Sequence, residues 1–207
     1  PTKSYEDIGG LDKEKQRMQE IVSWPLERTE LFSETNTDTP AGLLIKGPEG
    51  VGKTLLAEAT AGEYGINFTR VNGASIFQKY VGESVEKLQD LFKTAEKASP
   101  VIIFFEQLDA IAGLSADMSG AQERVISQLL SELDAIRNDP TITVIGETTD
   151  SNNIDPRLLQ AGRFEETVEI EKPDGQTRRE ILEVLTEDKP LSDDVTIGEI
   201  VSAEDGE

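Results

Sequence analysis

The residues with the clearest chemical potential lie in a short segment near the start of the second quarter of the chain. An apolar run at 43–45 leads into the glycine-rich sequence GPEGVGKT at 47–54, and a stretch of helical composition follows at 55–64. Glycines let the backbone turn so that successive N–H groups face an anion, and a helix start adds the positive end of its dipole. Lys53 then supplies an ammonium group for β- and γ-phosphates, and Thr54 a hydroxyl group for Mg²⁺.

A strand, a GxxxxGK[ST] loop and a helix in this order are typical of a phosphate-binding site. The alternative is a glycine turn that arose by chance, and it is disfavoured because both flanking elements are present. The sequence therefore predicts a protein that binds a nucleoside triphosphate or that descends from one that did.

Composition narrows the class of protein. A chain of 207 residues predicts one α/β domain, and its charge of −21 comes from 41 acidic against 20 basic residues. Apolar runs at 43–45, 101–105 and 142–145 favour a folded core over disorder. An acidic surface on a folded domain indicates adaptation to high salt, with an ordinary acidic mesophilic protein as the alternative. Because no basic stripe is present, we expect no direct attraction to nucleic acid or to anionic lipid.

Two absences in the sequence exclude whole classes of chemistry. Cysteine and histidine are both missing, which excludes disulfides, thiolate or imidazole metal sites and Ser-His-Asp catalysis. The apolar runs are too short to span a bilayer and no signal peptide opens the chain, so we expect a cytoplasmic setting and no membrane partner. Since the first residue is not Met and the chain ends in a polar stretch, we expect an excised domain whose native chain continues.

Alternating hydrophobic patterns predict the order of the elements. Strands are predicted at 43–45, 67–71, 101–105, 141–146 and 167–170, and helices at 12–24, 55–64, from 82 to just before Pro100, 122–137 and 176–185, with a polar connector at 33–40. Such alternation gives a parallel sheet with right-handed crossovers, whose ligands sit at the carboxyl ends of the strands. The phosphate loop and the pairs at 106–107 and 148–149 all follow strands, so we expect them to converge on one site.

Five further motifs carry a family resemblance. They are DIGGLD at 7–12, VNG at 71–73, KYVGES at 79–84, IDP at 154–156 and GRF at 162–164. Together with the phosphate loop, in this order and over nearly the whole chain, they resemble the AAA ATPases, and in particular the archaeal relative of valosin-containing protein, a ring-forming unfoldase. The resemblance implies a three-layer α/β P-loop NTPase domain, with a central parallel sheet flanked by helices, at 1–187. Residues 188–207 would be the approach to a C-terminal helical lid that is mostly absent.

The same resemblance implies ATP and Mg²⁺ as cofactors and assigns residues to them. The residues expected to hold the nucleotide are Asp7, Ile8 and Gly9 around the adenine, and Pro48, Glu49, Gly50, Val51, Gly52, Lys53, Thr54 and Leu55 along the loop. Thr54 and Glu106 would hold the metal. Lys79, Tyr80 and Val81 match a loop that grips unfolded chains in the pore of the ring, and an ordinary loop with a packed tyrosine is the alternative. The implied partners are the other subunits of a homo- or hetero-oligomeric ring, a hexamer by resemblance, and protein clients. Arg124 and residues 134–136 would face a neighbouring subunit, with a solvated helix face and a helix end as the alternative.

The predicted catalytic residues depart from the family pattern. The family strand ends in two acids, the first for Mg²⁺ and the second for orienting water, whereas this chain has Glu106 followed by Gln107. Residues 108–110 fix this register, and a rival register would make Glu106 the base and Phe105 the lost metal ligand. The polar sensor Asn of the family falls on Thr149. Its two arginines that reach a neighbour's γ-phosphate fall on Gln160 and Arg163, and its histidine near the adenine falls on Leu185.

These departures predict an ATP-binding AAA module with weak or absent hydrolysis, which acts as a structural or regulatory subunit or domain of a ring. The alternative is an active Mg²⁺-dependent unfoldase, in which Glu147, an acid just past a strand end, compensates for Gln107; a plain surface charge is the other interpretation of Glu147. A kinase or GTPase is disfavoured because no guanine-reading motif is present. A nucleotide-free scaffold is disfavoured because the phosphate loop is intact.

Overall fold

A computed structural model describes residues 1–27, 41–76, 81–114, 120–187, 189 and 196–204 of the chain. The predicted connector at 33–40 and the predicted pore-loop residues Lys79 and Tyr80 lie outside the described residues. Val81 is described as the first residue of a helix, but its side chain is not. Half of the segment at 188–207 also lies outside the described part.

The core of the structure is a five-stranded sheet. Its strands are β1 (Gly42–Lys46), β2 (Asn67–Asn72), β3 (Val101–Glu106), β4 (Ile142–Thr148) and β5 (Phe164–Glu169). Their order is β2-β3-β4-β1-β5 and every pair is parallel. The three central strands are buried along nearly their whole length because helices cover both of their faces. The edge strand β5 begins at Phe164, three residues before its predicted start. The start was predicted wrongly because only Phe164 and Val168 of this strand are fully buried, so its alternation of apolar and polar residues is weak.

Helices surround the sheet and include several short ones that the sequence did not predict. They are α1 (Asp12–Met18), α2 (Trp24–Glu27), α3 (Lys53–Glu63), α4 (Gly73–Ile76), α5 (Val81–Lys97), α6 (Leu108–Ala112), α7 (Gly120–Ala135), α8 (Gly175–Thr186) and α9 (Ile197–Glu204). A π-helical turn at Gln19–Ser23 joins α1 to α2, with the Trp24 N–H bonded to the Gln19 carbonyl. Pro25 follows this turn, and it has no N–H to continue a regular α-helical ladder.

Two hydrophobic clusters, one on each face of the sheet, form the core. On one face Leu43, Ile45, Ile102, Phe104 and Ile145 pack with side chains of α1 and α3 such as Met18 and Leu56. On the other face Leu44, Ile103, Phe105 and Val144 pack with side chains of α5 and α7 such as Phe92 and Leu129. Each large apolar side chain buried in this way stabilises the fold by about 1.5–3 kcal/mol. The predicted three-layer α/β architecture is confirmed.

The connection from β4 to β5 is organised by Asp155. This connection contains 3₁₀ helices at Ser151–Asn153 and Pro156–Leu159, and the Asp155 side chain accepts a hydrogen bond from the Arg157 N–H at 2.9 Å at the start of the second one. The Arg157 guanidinium also donates to Asp155 at 2.8 Å and to Glu123 of α7 at 2.7 Å. Asp155 is only 4% exposed. The Arg157 side chain, followed by its backbone N–H, holds the pKa of Asp155 below its ordinary value.

We expect Asp155→Asn to lower the free energy of unfolding at neutral pH by about 1–2 kcal/mol, because it removes a charge-assisted hydrogen bond from a buried site. A carboxylate with a lowered folded-state pKa contributes stability above its unfolded pKa of about 3.9 and loses it as the pH falls through the folded value. The difference in the free energy of unfolding between native protein and variant should therefore become smaller below about pH 4. Denaturant titrations at pH 7 and pH 3 measure this difference. The exposed Glu86→Gln on α5 is the control, and an Asp155→Asn deficit that stays the same at both pH values would contradict the prediction.

Candidate nucleotide-binding site

The glycine-rich loop lies at the carboxyl edge of the sheet, between the end of β1 and the start of α3. Gly50 has φ of 78° and Gly52 has φ of 98°, a left-handed region that residues with a side chain rarely adopt. At Gly47, a Cβ atom would come within 2.3 Å of the carbonyl oxygen of Ile170, just after β5. The loop therefore needs glycine at 50 and 52 for its turn, and at 47 because the backbone after β5 passes close by.

Lys53 and Thr54 at the start of α3 share one acidic partner. The Lys53 side chain is 3% exposed, and its Nζ donates to the carbonyls of Gly47 at 2.8 Å and Pro48 at 2.6 Å. The same Nζ lies 3.4 Å from Oε1 of Glu147, and Thr54 Oγ1 donates to the other carboxylate oxygen of Glu147 at 3.3 Å. The sequence pointed to Glu147 only as an acid near a strand end. Its two contacts depend on β4 lying beside β1.

Glu106 lies close to this group but has a different partner. It ends β3, where its carboxylate forms a salt bridge with the guanidinium of Arg70 from β2. Phe105 and Gly146 are paired across β3 and β4, so Glu106 and Glu147, which follow them, lie side by side at the carboxyl ends of neighbouring strands. With side chains alternating along a strand, both carboxylates lie on the sheet face covered by α3. Arg70 was not predicted as part of this site, because no local pattern in the sequence reveals that β2 pairs with β3.

The other predicted catalytic residues also follow strand ends. Gln107 has φ of 51°, is exposed, and precedes the first residue of α6. Thr149 is exposed directly after β4. The buried hydroxyl at that strand end belongs to Thr148, whose Oγ1 accepts from the Asp150 N–H at 3.2 Å and donates to the Asp150 carbonyl at 3.1 Å. The structure thus places Gln107 and Thr149 at the same sheet edge as Lys53.

A cavity of about 220 Å³ opens beside the loop. It brings together many of the predicted nucleotide-binding residues with residues from α8 and the segment before it: Asp7, Ile8, Gly9, Gly50, Val51, Gly52 and Leu55 with Pro173, Thr177, Ile181, Val184 and Leu185. Pro48 and Glu49 are exposed at the tip of the loop instead. The walls are mainly apolar, which suits a flat ring system whose phosphates extend along the loop.

Asp7 lines this cavity and also stabilises the turn that leads into it. Its carboxylate accepts a hydrogen bond from the Ser4 N–H at 2.8 Å and lies 3.1 Å from Lys3 Nζ. The bond from Ser4, followed by Lys3, holds the pKa of Asp7 below its ordinary value. Asp7 thus stabilises the 3₁₀ turn at Tyr5–Asp7, which leads directly into Ile8 and Gly9.

Arg163 lies at the opposite end of β1 from the loop. Its carbonyl accepts from the N–H of Gly42, the first residue of that strand. Its guanidinium donates to both oxygens of Asp134 at 2.8 Å and to the Arg157 carbonyl at 2.7 Å. The hydrogen bond from Arg163 also holds the pKa of Asp134 below its ordinary value. Gln160 is exposed nearby. Asp134 was predicted to face a neighbouring subunit, with a helix end as the alternative, and its hydrogen bonds with Arg163 were not predicted.

The donors at the loop suit a magnesium ion. Mg²⁺ prefers hydroxyl, carboxylate and phosphate oxygens, and it is typically bound through one or two protein carboxylates. Thr54, Glu106 and Glu147 supply such oxygens at one edge of the sheet. In the described part of the chain, no group of three or more acidic side chains forms a metal cage on its own. The residues therefore fit a metal that arrives with a phosphate group.

Comparison with known proteins agrees with this geometry. The family model described as "ATPase family associated with various cellular activities (AAA)" matches residues 43–172. The chain belongs to the AAA ATPase family. The resemblance found in its motifs is confirmed. None of the described helices is long and apolar enough to cross a membrane.

Archaeal relatives cover the whole of this AAA domain. The chain is 44% identical to Protein SAV of Sulfolobus acidocaldarius over 97% of its own length and 26% of that protein. It is 41% identical to the cell division cycle protein 48 homolog of Archaeoglobus fulgidus, over 100% of the chain and 28% of that protein. It is 39% identical to the proteasome-activating nucleotidase of Methanocaldococcus jannaschii, over 100% of the chain and 49% of that protein. The chain thus spans about a quarter to a half of the length of these curated relatives.

We expect Gly9→Ala to destabilise the AAA domain, because a Cβ atom there would lie 2.3 Å from the backbone nitrogen of Ile181 and 2.4 Å from the Glu180 carbonyl carbon. Helix α8 would have to move away from the first turn of the chain, at a cost of about 1–3 kcal/mol. For a domain of this size, that corresponds to a fall in Tm of very roughly 2–12 °C.

Thermal unfolding followed by circular dichroism measures the effect. Gly120→Ala at the start of α7 is the matched control, since a Cβ atom there meets open space. The prediction fails if the two variants melt at the same temperature.

Proposed function

We propose that this AAA domain is an ATP-binding module of a ring-forming protein-remodelling complex, and that it hydrolyses ATP slowly or not at all. The observation that carries the proposal is an intact phosphate loop, with Lys53 buried and aimed at the loop, next to a β3 end that offers the amide Gln107. Adenine would lie in the cavity between Gly9 and α8, and the phosphates along 47–54. Thr54 and a neighbouring carboxylate would hold Mg²⁺.

Weak hydrolysis follows from the chemistry of the groups at the sheet edge. The Gln107 amide cannot accept a proton, and loss of a general base typically costs a factor of roughly 10²–10⁴. Thr149 offers a hydroxyl where the family pattern has an amide, and Gln160 is neutral where that pattern has an arginine. Of the two positions at which the family has an arginine for a neighbour's γ-phosphate, only Arg163 keeps the cation.

A role for Arg163 at a phosphate requires a second subunit. The arginine lies beyond the start of β1 and the loop beyond its end, a separation of about 13 Å along a strand of this length. In a ring, Arg163 of one subunit would reach the nucleotide of the next, and ATP bound between subunits would stabilise the assembly by linkage. We propose a homo- or hetero-oligomeric ring, hexameric as the family resemblance implies, with protein clients gripped through Lys79, Tyr80 and Val81. The high-salt and cytoplasmic settings stay predictions.

A second candidate function is an active Mg²⁺-dependent ATPase that drives unfolding or disassembly of proteins. The contact that favours it is the one between Glu147 and Thr54 Oγ1, because it puts a carboxylate within the phosphate site. In that case Glu147 would orient the attacking water in place of Gln107. Turnover separates the two candidates.

We expect Lys53→Ala to weaken ATP binding by about 10- to 100-fold, because charge-assisted hydrogen bonds to phosphate are lost. Calorimetry with ATP and Mg²⁺ in molar KCl measures the dissociation constant. The control is Lys93→Ala, which removes an exposed lysine from α5. Equal affinities of native protein and Lys53→Ala, or no binding by the native protein, would refute the nucleotide site.

We expect Gln107→Glu to raise the rate of phosphate release by roughly 10²-fold or more, because it restores a group that can accept a proton. Gln107→Ala is the control and should show no gain. If the native protein already releases phosphate rapidly, and if Glu147→Gln abolishes this release, the second candidate function would be established instead.

A further inference from the structure

Two carboxylates lie at the carboxyl ends of neighbouring strands of the sheet, with similar burial and different partners. The side chains of Glu106 and Glu147 are 17% and 19% exposed. Glu106 is neutralised by Arg70, which is itself 56% exposed and belongs to the edge strand β2. Glu147 contacts the ammonium of Lys53 at 3.4 Å and the hydroxyl of Thr54 at 3.3 Å. Glu147 thus contacts the two side chains that, under the proposed function, hold the phosphates and the metal.

We propose that Glu147, rather than Glu106, is the carboxylate that faces the Mg²⁺ held by Thr54, and that Glu147 makes this site selective for metal-bound over metal-free nucleotide. The inference rests on the proposed function, because it assigns a role within that same site. It names a specificity-determining residue that the family motifs do not include.

Metal-free nucleotide meets two penalties at Glu147. Phosphates that approach Lys53 must compete with a carboxylate that already contacts its ammonium group. They also bring negative charge close to that carboxylate in a partly buried place, where like charges repel more strongly than they do in water. Both penalties disappear when the carboxylate is replaced by an amide.

Bound metal reverses the sign of this interaction. A carboxylate is a preferred ligand of Mg²⁺, either directly or through a water molecule, and Glu147 already lies beside the Thr54 hydroxyl. The same charge that repels free phosphates therefore attracts the metal–nucleotide complex. In thermodynamic terms Glu147 raises the coupling between metal and nucleotide, and by linkage each ligand increases the affinity for the other by the same factor.

Glu106 provides a matched comparison within the same sheet edge. Its charge is balanced by Arg70 of the edge strand β2, whereas the side-chain contacts of Lys53 are with Gly47, Pro48 and Glu147, so removing the Glu106 charge leaves those contacts in place. Replacing Glu106 by Gln should therefore change the response to metal much less than replacing Glu147 does. A site in which Glu106 were the main metal ligand would show the opposite order.

The experiment measures the dissociation constant of the 207-residue chain for the non-hydrolysable analogue AMP-PNP, by calorimetry in molar KCl, with excess Mg²⁺ and with EDTA. The quantity compared is the ratio of the EDTA value to the Mg²⁺ value, in native protein, Glu147→Gln and Glu106→Gln. We expect Glu147→Gln to bind metal-free analogue about tenfold more tightly, or about 1.4 kcal/mol, and to bind the Mg²⁺ complex no more tightly than the native protein does. Its ratio should fall at least about tenfold, and that of Glu106→Gln less than about threefold.

Three results would overturn the inference. One is a ratio that Glu147→Gln leaves unchanged; another is equal weakening of both nucleotide forms, which a merely structural role would give; the third is a larger fall in Glu106→Gln. If Glu147→Gln does not fold, Glu147→Asp serves, because withdrawing the carboxylate by one methylene should also lower the ratio, and an unchanged ratio refutes the proposal. Native protein that binds no analogue in either condition would instead refute the proposed function itself.

Discussion

The buried ammonium group of Lys53 constrains the whole edge of the sheet at which it lies. Taking such a charge out of water costs several kcal/mol unless partners compensate for it. The carbonyls of Gly47 and Pro48 are two of those partners, and the loop has to fold back over the side chain to supply them. The third is Glu147, which is within reach because β4 pairs with β1. One requirement, that the buried charge of Lys53 be compensated, therefore accounts for the left-handed glycines of the loop, for the order of the strands and for the acid near the end of β4.

Cations are scarce in this chain, and the structure uses several of them in specific ion pairs. With 20 basic against 41 acidic residues, most acids have no basic residue to themselves. Lys53, Arg70 and Arg163 each contact a carboxylate that lies 29 to 94 positions away, and so tie separate elements together. Salt screens repulsion among exposed acids more than it weakens partly buried pairs. High ionic strength would thus relieve repulsion at the surface while leaving the largely buried pair of Lys53 and Glu147 in place.

The sequence predicted the parts of the structure that depend on local periodicity. The central strands were found because β3 and β4 are continuous apolar runs, and α5 and α7 because their buried residues recur at helical spacing. The short helices α4 and α6 were missed, since four or five residues are too few to show a period. The phosphate loop was predicted from its glycines and Lys53, whereas the wall that α8 adds to the cavity is set by tertiary packing. The pairs that Arg70 and Arg163 form with Glu106 and Asp134 depend on strand register and helix placement, which no local pattern reveals.

The contact between Gly9 and α8 joins two segments that lie far apart in the sequence. Residues from the turn at 5–9 and from α8 meet backbone to backbone and enclose the same cavity. Contacts between separate segments can open locally at a smaller cost in free energy than global unfolding. Separation of the turn at 5–9 from α8 would uncover the cavity while the sheet behind it stays folded. A molecule held in the cavity would contact both segments and hold them together, so the lifetime of its complex would depend on how often the two segments separate.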